Sequence, residues 1–306
     1  MSPASRSGSF SKAFILGAGA VGSYYGAALS RGVDVALIGR ESHVDAIKEY
    51  GLTVSGKFEG VFRVGASTEI EEIPENALII LTTKAYDAEG AIKGVKALLK
   101  PDTTILVLQN GLGNEGIVRG VVGPEVRVIR GITSVGAEFL APSRIDVKLI
   151  GETIMPDDEV GRDVKALFDA CGVEVRLSGE MDYEIWRKLA LNCVLNPLTT
   201  IFRVPNNEVA VDSLRGVRDA ILDECVKVAE RECVTFEPDL AQKITDVIGR
   251  YSNISSMCQD ILKGKRTEID FLNGMVCELG RRHGVPTPVN DTVVSLIKFM
   301  EGKSWS

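Results

Sequence analysis

The sequence predicts an α/β protein, a parallel sheet with crossover helices in the N-terminal part and an all-helical C-terminal domain after it. Three observations carry this. Short apolar runs alternate with helical patterns through the first half, the order expected of βαβ units. Gly17-Ala18-Gly19-Ala20-Val21-Gly22 stands after one apolar run and opens a helical one, the context in which such glycines mark a Rossmann-type dinucleotide-binding domain. From Met181 onward the periodicity is helical throughout, with no convincing strand.

Ala13–Leu16 reads as the first strand, followed by a helix to Arg31 that Gly32 stops. Val33–Ile38 is the second strand, and Ser42 to Tyr50 a capped helix closed by Gly51. Two β-rich runs around Ser55-Gly56-Lys57 suggest a hairpin insertion within 52–64. Buried strands follow at Ala77–Thr82, Thr104–Leu108 and Val126–Ile129, with helices near 87–99 and 113–121 between them. Residues 131–150 alternate as strands do, and a helix at 158–170 leads to a strand at Val173–Leu177. The change of character near Ser178–Glu180 divides the chain into 12–179, the expected dinucleotide-binding domain, and a helical domain over 180–306. Residues 1–11 are Ser-rich, lack the apolar stretch of a secretory signal, and read as a disordered extension.

Composition narrows the function class. The 306 residues suffice for two cores. A net charge of −7 argues against sequence-independent nucleic-acid binding. No apolar run reaches the roughly 18 residues of a membrane span, so no membrane partner is expected. The six cysteines show no CxxC spacing, and several sit in apolar helical runs, as reduced core cysteines do. With two histidines and no Cys/His cluster, no metal site is expected. These features point to a cytoplasmic protein; the expected partner is a small molecule, and a monomer or a homodimer is equally compatible with the sequence.

In the glycine loop, Gly17 makes the tight turn, Gly19 lets a pyrophosphate approach the backbone, and Gly22 lets helix and strand pack. The pyrophosphate would lie at the helix N-terminus. At the tip of the second strand an NAD site carries an acid for the ribose hydroxyls. Here Leu37-Ile38-Gly39-Arg40 has none, and a guanidinium suits a 2′-phosphate. NADP(H) is therefore the expected cofactor, although Arg40 also fits an ordinary surface residue. Two more strand ends, Thr82-Thr83-Lys84-Ala85 and Gln109-Asn110-Gly111, lie where ligands bind such sheets. A solvated Lys84 and a plain Asn-Gly turn remain equally open for them.

The helical half holds an anomaly. Within the buried-looking segment Glu184–Thr200, Lys188, Asn192 and Asn196 recur every four residues among Leu189, Ala190, Leu191, Cys193, Val194 and Leu195. A step of four drifts by only about 40° around a helix, so the three polar groups form one narrow line. A solvent face would be wider and would avoid asparagine. The line faces either a ligand or a buried amide network.

These stretches together resemble the ketopantoate reductase (2-dehydropantoate 2-reductase) family: GAGAVG, Thr83-Lys84-Ala85, Gln109-Asn110-Gly111, the run Trp186 to Thr199, Asn253-Ile-Ser-Ser256-Met-Cys-Gln-Asp260, and Thr267-Glu268-Ile-Asp270. The resemblance spans roughly residues 12–290. It implies a Rossmann domain and a helical C-terminal domain like that of 6-phosphogluconate dehydrogenase. It also implies NADPH-dependent reduction of 2-dehydropantoate to (R)-pantoate in pantothenate biosynthesis. By position, Lys188 resembles the catalytic lysine and Glu268 the acid that touches both lysine and cofactor. Asn110, Asn192, Asn196, Ser256 and Asn206 resemble substrate contacts, Lys188 among them. Asn206 departs from the pattern in lacking the usual following glycine. Gly17, Ala18, Gly19, Ala20, Val21, Gly22, Lys84, Asn110 and Ala137 resemble cofactor contacts.

The chemistry of a 2-oxo acid fits the polar line. Reducing its ketone creates an alkoxide to be stabilised and protonated, which the Lys188 ammonium can do while Asn192 and Asn196 orient neighbouring oxygens. Ser256, near a helix start, would meet the carboxylate. Ser255 reads as a helix cap, Asp270 as a surface residue, Lys263–Arg266 as a solvated turn that could meet a phosphate, and His43 and His283 as exposed helix ends. Competing readings are a reductase of another branched 2-oxo acid, an opine-type dehydrogenase, and a non-catalytic NADPH-binding regulator.

Overall fold

The computed structural model describes residues 10–301 and 303. The expected disordered extension falls outside these residues except at its end, and there the expectation is corrected. Phe10 is buried in the core, and Ser11 donates from its backbone N to Asn76 O at 3.0 Å. Burying the Phe10 ring fixes the chain before the first strand begins.

The described chain divides into two compact units. One runs to Gln109 and resumes over Gly113–Met181; the other holds Asn110–Leu112 and the chain from Asp182 onward. The first unit begins with β1 (Lys12–Leu16), α1 (Ala20–Leu29), β2 (Asp34–Ile38), α2 (Glu41–Tyr50), β3 (Leu52–Gly56) and β4 (Gly60–Phe62). It continues with β5 (Gly65–Ser67), β6 (Ala77–Leu81), α3 (Ala88–Val95), β7 (Thr104–Val107), α4 (Asn114–Val122) and β8 (Arg127–Arg130). Short strands follow: β9 (Ile132–Thr133), β10 (Gly136–Ala141), β11 (Arg144–Leu149) and β12 (Thr153–Pro156), then α5 (Glu159–Ala170) and β13 (Val175–Ser178).

The main sheet is wholly parallel in the order β5-β2-β1-β6-β7-β8, the doubly wound arrangement. Its apolar runs lack polar alternation because both faces are covered. Ala13, Ile15, Leu37, Leu78, Ile80 and Leu106 enter the core on one face, while Phe14, Leu16, Ile79, Leu81, Ile105 and Val107 enter the core on the other. The hairpin expected within 52–64 is β3–β4, and it joins β10 and β11 in a second sheet. A third sheet, β13-β12-β9, includes a strand at Thr153–Pro156 that the sequence reading did not single out, because it holds only two apolar residues between Thr153 and Pro156. Tyr25 on α1 reaches this sheet, its hydroxyl 2.6 Å from Thr133 Oγ1 and 2.8 Å from Thr153 Oγ1.

Two local expectations change. The helix expected from Ser42 starts at Glu41 with Arg40 at its N-cap. His43, expected at an exposed helix end, is buried. Its Nδ1 accepts from Ser143 N at 2.9 Å and its Nε2 lies 3.2 Å from Ser23 Oγ, while its ring packs on Phe139. The partners come from α1 and the β10–β11 turn, so local sequence could not reveal them. Burial holds the imidazole pKa below its usual value.

The second unit is helical among its described residues from 182 on: α6 (Met181–Phe202), α7 (Arg215–Arg231), α8 (Leu240–Gly249), α9 (Ser256–Leu262), α10 (Asn273–His283) and α11 (Pro288–Glu301), with short 3-10 turns between. Its core gathers Trp186, Leu189, Ala190, Cys193 and Val194 of α6 with Ile221, Cys225, Val228, Val276 and Ile297. No helix of the described residues is long and apolar enough to cross a membrane.

Candidate active site

In the first unit, candidate ligand contacts gather at the carboxyl ends of β1, β2, β6 and β7. The amides of Gly17 and Ala18 donate to Ile38 O at 3.1 and 2.8 Å, folding the turn back over β2. Gly17 has φ +110°, and a Cβ there would lie 2.4 Å from Thr83 N, so only glycine fits. A Cβ at Gly22 would lie 2.4 Å from Gly17 O, whereas one at Gly19 would meet nothing within 4 Å. The loop is therefore closed against the sheet at Gly17 and Gly22 and open at Gly19, with Ala18 buried beneath it. Ala20 and Val21 open α1, which has no side-chain cap and no acid in its first turn. Uncapped amides beside an open glycine form a cradle that fits a pyrophosphate.

Arg40 is exposed at the tip of β2. Beyond β6, Thr82 Oγ1 donates to Gly17 O at 2.8 Å, tying the next strand end to the glycine turn. Gln109 Nε2 donates to Thr83 Oγ1 at 2.9 Å and to Lys84 O at 3.3 Å. Its Oε1 is buried without a partner. Gln109, which no role expected from the sequence includes, thus holds the Lys84 loop in place. The signal was in the same strand-tip motif. Ala137 lies half-buried on β10, at a register shift between Gly136 and Ala137.

The strand tip itself changes unit. Leu112 N donates to Phe271 O at 3.2 Å, and a Cβ on Gly111 would fall 2.3 Å from that oxygen. Half-buried Asn110 is thereby grouped with the turn Ile269–Phe271, whose N-cap is Glu268. Glu268 is buried. Its neighbour Thr267 is fastened by Glu301 Oε1, which accepts from Thr267 N at 2.7 Å and Oγ1 at 2.6 Å. Asp270 accepts from Arg266 at 3.2 Å and Lys298 at 2.9 Å.

Lys188 and Asn192 are half-buried on α6, and Asn196 is buried. Ser255 caps α9 by accepting from Cys258 N at 3.2 Å, and its Oγ is 2.7 Å from Thr199 Oγ1 on α6. The cap thus ties the stretch after Asn196 to the exposed Ser256. α9 has only seven residues and Ser255 as its N-cap, so Ser256 stands exposed in its first turn. Asn206 is 5% exposed. Its N donates to Asn253 O at 3.0 Å, anchoring it to the same loop. Its Oδ1 is buried with no hydrogen-bond partner. Arg218 stiffens this turn by donating to Val209 O and Val211 O, both at 2.7 Å.

Comparison with known proteins follows the same division. Residues 13–159 match the profile of ketopantoate reductase PanE/ApbA and residues 180–301 its C-terminal counterpart. A 2-dehydropantoate 2-reductase of Pyrococcus horikoshii is 34% identical, the alignment covering 95% of this chain and 97% of that one. The crystal structure of a PanE/ApbA family ketopantoate reductase from Ralstonia eutropha JMP134 superposes with TM-score 0.89 at 32% identity, covering 95% and 98%. D-mandelate dehydrogenase in a ternary structure with NADH and anilino(oxo)acetate superposes with TM-score 0.88 at 29% identity, over 95% and 98%. With a glycine cradle at one end of a doubly wound sheet and a polar line on a buried helix, matched across both units, the chain belongs to the ketopantoate reductase family.

Proposed function

We propose that this protein reduces 2-dehydropantoate to (R)-pantoate with NADPH. The observation that carries the reading is the α6 line, an ammonium and two amides half-buried to buried on a helix that gives Trp186, Leu189, Ala190, Cys193, Val194 and Leu198 to the core, in a chain 34% identical to a 2-dehydropantoate 2-reductase. Gly17 to Gly22, Arg40, Lys84, Asn110 and Ala137 would hold the cofactor, with Glu268 at its ribose. Bound there, it supplies the hydride that reduces the ketone carbon.

The chain's own residues then act on the oxygen. Lys188 stabilises the charge that develops there and delivers the proton that completes the alcohol. Asn192 and Asn196 donate to the substrate hydroxyl and its neighbouring oxygens, and Asn110 to an oxygen near the reacting carbon. Ser256 donates to the carboxylate. Asn206 Oδ1, lacking a donor in the protein, accepts from the substrate hydroxyl. Glu268 orients the lysine. The buried unpaired thiols Cys171, Cys193, Cys225, Cys258 and Cys277 fit a reducing compartment, so we place the reaction in the cytoplasm, carried out by a monomer or homodimer.

One observation favours a second reading, in which the substrate is another 2-oxo acid: the similarity to D-mandelate dehydrogenase, whose structure carries NADH. A single assay decides. Loss of reduced-nicotinamide absorbance is followed with 2-dehydropantoate, with phenylglyoxylate, and with no substrate, using NADPH and NADH in turn. Turnover of 2-dehydropantoate with NADPH well above every other pairing is expected. Faster turnover of phenylglyoxylate would replace the first reading with the second, and no turnover of any 2-oxo acid would defeat both.

A further inference from the structure

We propose that Asn273 is a positioning residue for the α6 polar line. Its side-chain amide holds the one carbonyl that Pro197 deprives of a helical donor, and so fixes the bend that sets Asn196 relative to Lys188 and Asn192. The inference rests on the reductase reading above.

Pro197 lies inside α6, directly after Asn196. A proline removes the N–H that would bond four residues back, and its ring crowds that carbonyl. Here the carbonyl is that of Cys193, directly after Asn192. The break therefore falls within the polar line, with Lys188 and Asn192 before it and Asn196 at its far side. The hydroxyls of Thr199 and Thr200 bond back to Leu195 O at 2.8 Å and Asn196 O at 2.6 Å, a pattern that itself bends helices.

Asn273, the first residue of α10, has no exposed surface. Its Nδ2 donates to Cys193 O at 2.9 Å and to Asn290 Oδ1 at 2.9 Å. Its own Oδ1 is buried without a donor. Turning the amide over would set that oxygen against two acceptors, so its orientation is dictated by what it holds. Asn290 is held in turn. Its Nδ2 donates to Glu224 Oε2 at 2.7 Å and Ile221 O at 3.2 Å. Glu224 also accepts from the backbone N of Val289 and of Asn290, both at 2.9 Å, where a carboxylate suits the first turn of α11. A buried polar chain therefore runs from α7 through α11 and α10 to the break in α6. A rigid chain of this kind fixes an angle that a proline alone would leave soft.

The test is steady-state kinetics on the full-length protein, varying 2-dehydropantoate at saturating NADPH, for wild type, Asn273→Leu, Pro197→Ala and the double variant. NADPH affinity and melting temperature are measured in parallel. Asn273→Leu, which leaves the buried Cys193 carbonyl without its side-chain donor, should raise KM about tenfold. Pro197→Ala, which returns a helical donor to that carbonyl and removes the proline's crowding, should raise KM by a similar factor, with NADPH affinity unchanged in both. Because both changes act on one carbonyl, the double variant should be no worse than the poorer single one. Multiplying effects in the double variant, or a lower melting temperature with KM unchanged, would overturn the proposal. Should Asn273→Leu not fold, Pro197→Ala alone decides, and a KM within about twofold of wild type overturns it. A wild type inert towards every 2-oxo acid defeats the reductase reading, and this inference with it, before any variant is compared.

Discussion

The two units build their candidate sites from different material. In the first, the site is backbone: a left-handed Gly17, an open Gly19, and strand ends tied by Thr82 and Gln109. In the helical unit it is side chains, Lys188, Asn192 and Asn196 on α6, with Asn206 and Ser256 brought in by a loop. A backbone site is specified by what cannot be there, since an added methyl closes it. A side-chain site is specified by what must be there, since truncation empties it. Substitutions should therefore fail in opposite ways, through fit and nucleotide affinity in one unit and through chemistry in the other.

The largest expected effect is at Lys188. Lys188→Ala should lower kcat by about 10²–10⁴-fold, the range for a positioned proton donor, while nucleotide affinity measured by fluorescence stays as in the wild type. A variant within tenfold of wild type would return the polar line to structure. Next come two glycines that sharpen the contrast. Gly17→Ala places a Cβ 2.4 Å from Thr83 N at φ +110° and should destabilise the fold by about 1–3 kcal/mol, read as a lower melting temperature. Gly19→Ala meets nothing within 4 Å. It should leave melting unchanged yet weaken NADPH binding by about tenfold, because it fills the space the pyrophosphate needs. Equal behaviour of the two variants would erase the distinction between closed and open glycines.

Arg40→Ala should raise KM for NADPH by about tenfold, the scale of a charge-assisted bond, and leave NADH nearly untouched. Equal turnover of both cofactors by the wild type would remove Arg40 from the site. The smallest effect is expected at His43. Burial lowers its pKa below 6.5, so the unfolded chain takes up a proton before the folded one does. The stability it contributes is complete above pH 6.5 and is lost as pH falls through the folded value. Melting curves from neutral to mildly acidic pH should show that loss in the wild type and a shallower slope in His43→Gln.

What could be read in advance follows from the range of the interactions. The glycine turn, the buried strands and the α6 line are periodic or local, so Gly17 to Gly22 and Lys188, Asn192 and Asn196 stood out from neighbours a few residues away. His43 was misjudged because its partner Ser143 lies far along the chain, and helix periodicity around residue 43 gives no hint of it. Phe10 packs in the core, which its serine-rich neighbours in the sequence conceal. Asn273 is not legible in the sequence, because a lone asparagine at a helix start is ordinary. Its meaning comes from a proline in another helix.

The Tyr25 phenol, held by Thr133 and Thr153 beneath α1, has a spectroscopic consequence. Burial pushes its ionisation far above that of a free tyrosine. In an alkaline titration watched by ultraviolet absorbance, accessible phenols turn to phenolate as base is added. Tyr25 stays dark to the titrant until the sheet beneath it opens, so its phenolate signal, later still than that of Tyr183 at about 12, clocks the unfolding of the first unit from inside, with no label attached.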